Sequence, residues 1–223
     1  MNIYISIGTQ CTTAKLFEKL QVKTKSLPFD WMLSTPYFVY TILQLLLIDN
    51  KEIEDIVDNH FFACDKKATH SNIQQNFVID DVGSALINSK YSVCFPHDRL
   101  QDRGTYIRRM ERLKQVILNK DNFLHFIYVS VPSITRGAYA IDGIDPIEKL
   151  YEYIEKINSI IKAVRTNYKI LIFDTNKPSD VVPSDISHMV YYDIEEKTEW
   201  QELLPELVDK CNSYIISCKE NTV

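Results

Sequence analysis

Cys11 lies in the stretch Ser6-Ile7-Gly8-Thr9-Gln10-Cys11-Thr12, where an apolar strand gives way to a helix. A thiol in the first turn of a helix faces the positive end of the aligned peptide dipoles, which favours thiolate over thiol. A thiolate is a nucleophile near neutral pH; catalysis then needs a base within hydrogen-bond reach and often a third group to orient it. The competing reading is a small, inert core residue.

Among the five histidines, His97 is the best candidate base. It follows an apolar strand and precedes Asp98 in a polar loop. His125, between Leu124 and Phe126, reads as a core histidine; His60 and His70 fall in unpatterned sequence, and His188 opens a strand. Asp30 is the first choice of orienting acid. Asp98 is second, because neighbours in extended chain point apart. Gln10 and the backbone N–H groups of the turn are candidate donors to an oxyanion.

A second constellation is basic. Arg108, Arg109 and Arg112 sit about one turn apart on one helix, three of only seven arginines in the chain. Guanidinium forks suit phosphate or carboxylate groups, so the three, with Trp31, are the candidate substrate-binding set; the alternative is a solvated helix face. Asp30, flanked by Phe29 and Trp31, is either a cap on nearby N–H groups or a perturbed functional acid. His60, Cys64, Cys94 and His97 lack the tight spacing of a zinc knuckle. No metal and no cofactor is expected: there is no Walker loop, G-x-G-x-x-G, G-x-S-x-G or H-E-x-x-H.

The 223 residues carry 45% hydrophobic and 25% charged side chains, a net charge of −5 and a pI near 5.6. That balance suits a globular domain and argues against a broad nucleic-acid surface, though not against a local basic pocket. The longest greasy stretch, 37–48, is too short to span a bilayer. No secretory signal is visible. Five cysteines without framework spacing point to a reducing, intracellular, cytoplasmic setting with no membrane association. Partners reduce to a peptide or small-molecule substrate, and oligomeric state is open.

Elements must position these groups. Apolar runs at 3–7, 91–95, 123–131, 168–173 and 188–192 predict strands. Thr35 and Pro36 mark a helix start running to 48. Thr105 opens a helix to 119 with Ile107, Met110, Leu113 and Ile117 as its stripe. Asp145 and Pro146 open another to 165, and 199–217 closes the chain as an amphipathic helix. A weak pattern at 60–90 predicts an irregular insertion with a short strand at 77–79. Strand, long helix, strand is a βαβ unit. The expectation is one three-layer α/β domain over 1–223, with a mostly parallel sheet and helices on both faces. In such sheets chemistry gathers at the carboxyl ends of strands, so 8–11, 96–99, 132–136 and 174–177 should line one rim.

The start Ser6-Ile7-Gly8-Thr9-Gln10-Cys11, then Leu27-Pro28-Phe29-Asp30-Trp31, His97-Asp98 and the segment from Tyr106 to Arg112 together resemble a bacterial and viral family of unknown function whose members carry the label of papain-like cysteine peptidases. The resemblance implies a Cys–His hydrolase with Cys11 as nucleophile, His97 as base and Asp30 as orienter. A viral member would work in the host cytoplasm. Cys11 is followed by Thr12-Thr13 rather than by the sequence that follows the papain nucleophile, and the βαβ reading differs from papain's antiparallel sheet. Two further readings follow from the residues: a phosphate- or nucleotide-sugar-binding, transferase-like protein using the arginines, and a non-catalytic interaction protein using its acidic surface.

Overall fold

The structure is a computed structural model. It describes residues 1–8, 11–32, 34–62, 66–68, 85–88, 93–95, 103–130, 150–174, 187–195, 197 and 200–220. The parallel sheet is built from β1 (Asn2–Ser6), β5 (Phe123–Ser130), β6 (Tyr168–Asp174) and β7 (Met189–Asp193), in the order β1-β5-β6-β7. All three pairings are parallel, with Ile5 opposite Phe126 and Phe126 opposite Ile170. Helices cover both faces: α1 (Cys11–Lys19) and α6 (Trp200–Glu220) on one, and α2 (Pro36–Leu43), α4 (Arg103–Leu118) and α5 (Leu150–Val164) on the other. The three-layer α/β architecture is as expected from the sequence.

Alternation along each strand divides the core. Ile3, Ile5, Phe126, Ile170 and Ile172 pack against the α2, α4 and α5 side. Ile127, Val129, Leu171 and Phe173 meet Leu16 and Phe17 of α1 and Leu203, Leu207 and Cys211 of α6. Strands buried on both faces explain why the sequence reads as continuous apolar runs rather than alternation.

Several ends follow from single residues. Thr35 caps α2, its hydroxyl accepting the Phe38 N–H at 3.1 Å, and Pro36 occupies the first turn. The segment read as one helix to 48 changes hydrogen-bond period at Gln44–Ile48, which is π-helical. The same switch follows the short α3 (Ile53–Ile56) at Val57–Phe61. The α1 C-terminus closes with Gln21 at φ 54°, Gln21 N–H donating to Glu18 O and Val22 N–H to Phe17 O. That is a Schellman end, with Val22 packed on the same core as Phe17. The chain that follows brings Lys23, Leu27 and Asp30 to a cleft shared with Ile3 and Tyr4 of β1.

The insertion differs from the expectation. Two strands, β2 (Lys66–Ala68) and β3 (Ala85–Asn88), lie inside 60–90, and with β4 (Val93–Phe95) they form a separate antiparallel sheet in the order β2-β3-β4. Three- and four-residue strands are too short to show a period. The strand expected at 77–79 lies outside the described residues. A correction follows: β4 is not part of the parallel sheet, so 96–99 does not follow one of its strands, and the rim argument for that segment lapses. Among the described residues, no helix is long and apolar enough to cross a membrane.

Candidate functional site

Cys11 is the first residue of α1, beyond the carboxyl end of β1. The chain turns there at Gly8, whose φ of +122° lies in the region L side chains avoid. A Cβ at Gly8 would meet Ser34 O and Tyr128 Cε2 at 3.1 Å. The turn is tied down by Thr13, whose hydroxyl donates to Gly8 O at 2.9 Å, and by Ile7 N–H donating to Ile127 O at 3.0 Å. Gly8→Ala is therefore expected to lower stability by about 1–3 kcal/mol through strain and crowding, read as a lower urea midpoint with an unchanged slope.

Gln10 and His97 lie outside the described residues, as do Asp98 and the segments 132–136 and 175–177. Asp30 is described. It is 2% exposed, and its Oδ2 accepts the Leu27 N–H at 3.0 Å and stands 3.5 Å from Lys23 Nζ. Burial pushes its carboxyl above the usual range, and the Leu27 N–H and Lys23 pull it back down. Asp30 shares a cleft with Met1, Ile3 and Tyr4, in the first half of β1.

The three arginines part company. Arg108 is exposed and donates to Thr105 Oγ1 at 2.6 Å. Arg109 lies 5.3 Å from the Tyr106 ring centroid and contributes to the field at Asp30. Arg112 donates to Ser26 O at 2.6 Å and lines the same cleft as Asp30. Two ammonium groups lie over the Trp31 ring, Lys23 Nζ at 4.3 Å and Lys15 Nζ at 5.1 Å from its centroid, a cation–π arrangement. No sequence signal marked either lysine, since Lys15 and Lys23 meet the indole only through the turn after α1.

The carboxyl-end rim of the sheet, the side on which Cys11 follows β1, also holds a polar group not assembled from sequence. At the carboxyl end of β6, Tyr151 of α5 donates to Asp174 Oδ2, and the Tyr191 ring lies 5.9 Å from that of Tyr151, tilted by 33°. Burial, then the nearby carboxylates, holds the Tyr151 hydroxyl well above the usual tyrosine range and pushes Tyr191 up to about 12. These phenols stay neutral donors. Among the described residues, no cluster of ligating side chains could hold a metal ion.

His125 is a core histidine, as its place between Leu124 and Phe126 predicts. It is 1% exposed and bonded to Tyr214 and Asn2. Cys211 is buried too, its thiol pushed up to about 12 by desolvation.

A parallel sheet wrapped on both faces, with a cysteine opening the helix after its first strand, defines a three-layer α/β protein with a thiol at a helix amino terminus. The chain belongs to the family of putative papain-like cysteine peptidases (DUF1796), whose model matches residues 2–174. No curated protein and no solved structure matches it.

Proposed function

We propose that this chain is a thiol-dependent hydrolase of amide, isopeptide or ester bonds, with Cys11 as nucleophile and His97 as base. The observation that supports this most is the place of Cys11: the first residue of a nine-residue helix, at the carboxyl side of a parallel strand. There the uncommitted N–H groups of the first turn favour a thiolate. The family description points to the same chemistry.

The thiolate attacks the acyl carbon, and the resulting oxyanion takes N–H donors of the turn and the Gln10 side chain. Collapse expels the amine or alcohol, which takes a proton from the His97 imidazolium and leaves a thioester on Cys11. Water, losing a proton to His97, attacks that thioester, releasing the acid and restoring the thiolate–imidazolium pair. Asp30, held by the Leu27 N–H and Lys23, is the candidate acid to orient the His97 ring.

Iodoacetamide with peptide mapping tests the reading. Cys211, with its thiol near 12, is the internal inert standard. Cys11 should alkylate about a thousandfold faster at neutral pH, with a rate inflection below the ~8.5 of a free thiol. Alkylation of Cys11 no faster than that of Cys211 would end the nucleophile assignment.

A further inference from the structure

Ile3 and Tyr4 of β1, the terminal strand of its sheet among the described residues, border a cleft of about 260 Å³. The chain after the α1 Schellman end supplies Lys23, Leu27 and Asp30 to the cleft, and α4 supplies Arg112 and Val116. It holds roughly nine waters' worth of volume at ~30 Å³ each, enough for a compact ligand and too little for a dinucleotide or an extended peptide.

Its polar groups are unbalanced. Lys23, Lys25 and Arg112 face a single carboxylate, Asp30, on a protein whose net charge is −5. Lys23 Nζ is buried and makes no hydrogen bond. Its 3.5 Å approach to Asp30 Oδ2 is an ion pair beyond good hydrogen-bond length, and that oxygen already accepts the Leu27 N–H. Glu18 Oε1 stands farther off at 4.0 Å; an ammonium taken out of water with ion-pair partners but no short hydrogen bond is undersatisfied, and a ligand oxygen would relieve that cost. Among the described residues, Arg112 spends one nitrogen on Ser26 O and leaves the rest of its fork uncommitted. The remaining wall, Ile3, Leu27 and Val116, is apolar.

We propose that this cleft is a binding site for a compact organic anion, its carboxylate or phosphate group held by Lys23 and Arg112 and its apolar body laid against Ile3, Leu27 and Val116. The acceptor oxygens satisfy the buried ammonium, the guanidinium fork takes the anion's second oxygen, and Asp30 keeps Lys23 in place. This assignment does not depend on Cys11 being reactive, and Cys11→Ser should bind as the unaltered protein does.

Calorimetric titration with benzoate, phenyl phosphate and neutral benzamide tests it. One or both anions should bind saturably at one site, with a Kd of about 1 mM or tighter, and benzamide should not. The tighter anion names the headgroup. Affinity should fall roughly tenfold or more in Arg112→Gln and in the double variant Lys23→Met/Asp30→Asn, which removes the ion pair as a unit. Absence of saturable binding by both anions, benzamide binding as well as benzoate, or unchanged affinity in Arg112→Gln would each overturn the proposal. Arg112→Gln decides the matter if the double variant does not fold.

Discussion

Replacing Arg165 by alanine is expected to lower the free energy of unfolding by about 3–5 kcal/mol, the range for removing a buried, hydrogen-bonded charged group. Arg165 is 4% exposed, and its guanidinium donates to four backbone carbonyls. Ile117 O accepts at 2.6 Å, Asn167 O at 3.1 Å and Asn119 O at 3.4 Å, and Asn122 O completes the set. These oxygens belong to the last turn of α4, the chain entering β5 and the turn between α5 and β6. Carbonyls at a helix end have no intrahelical partner, and a cation there also meets the negative end of the dipole. Desolvation lowers the Arg165 proton affinity, yet a guanidinium stays charged inside a protein. Alanine would remove a donor from all four carbonyls, although Asn119 O keeps the Asn122 N–H and Asn167 O keeps the Leu124 N–H. Arg165→Lys should recover only part of the loss, because a single ammonium cannot span four oxygens. Urea unfolding reads the effect, and a melting temperature lower by roughly 10 °C should accompany it. A loss below about 1 kcal/mol for Arg165→Ala would show that water replaces the guanidinium without penalty.

Stability should fall as pH drops from about 6.5 to about 4, with His125 responsible for up to about 3 kcal/mol of the change. The imidazole is 1% exposed, stacked on Tyr4 at 4.7 Å, and hydrogen-bonded through Nδ1 to Tyr214 Oη at 3.0 Å and through Nε2 to Asn2 Oδ1 at 3.2 Å. An amide oxygen can only accept, so Nε2 carries the proton and Nδ1 accepts from the tyrosine. A second proton would land on Nδ1, where the Tyr214 hydroxyl would have to turn its own proton away. Desolvation lowers the pKa from 6.5 to about 4. The sign follows directly. Between those two values the unfolded chain binds a proton that the folded chain refuses, so acid favours unfolding. Above pH 6.5 both states are neutral, and the full contribution is present. His125→Phe removes this proton uptake. It should be less stable at pH 8, having lost two hydrogen bonds, but its stability should fall less than that of the unaltered protein between pH 6.5 and 4. Parallel pH profiles for the two proteins would refute the assignment.

The parallel-sheet core was legible because its information is local. Continuous apolar runs located β1, β5, β6 and β7 to within a residue or two, and the Thr35–Pro36 pair located the start of α2. The stripe of Met110, Leu113 and Ile117 is buried as its spacing implies, with Tyr106 in place of the half-buried Ile107. The failures have the same cause in reverse. β2 and β3 hold three and four residues, shorter than any window in which a period can be seen, while β4 falls inside the predicted run at 91–95 but joins the second sheet. Gln44–Ile48 and Val57–Phe61 keep a helical composition while their hydrogen bonds lengthen by one residue, which composition does not record.

The candidate site divides along the same line. Residue order alone put Cys11 at the first turn of a helix after a strand, and marked His125 as a core residue, because each depends only on the few residues around it. Which charges meet is different in kind. Arg108, Arg109 and Arg112 look equivalent in a helical projection, but the segment after α1 passes beside only part of that helix, so Arg112 reaches Ser26 and the cleft while Arg108 turns to Thr105. Asp30, Lys23 and Trp31 are joined by a turn, and Arg165 collects carbonyls from as far away as residue 117. Local preference acts through neighbours within about four positions. The meeting of distant charges is set by how loops carry the chain round the sheet edge, and only the folded arrangement contains that route.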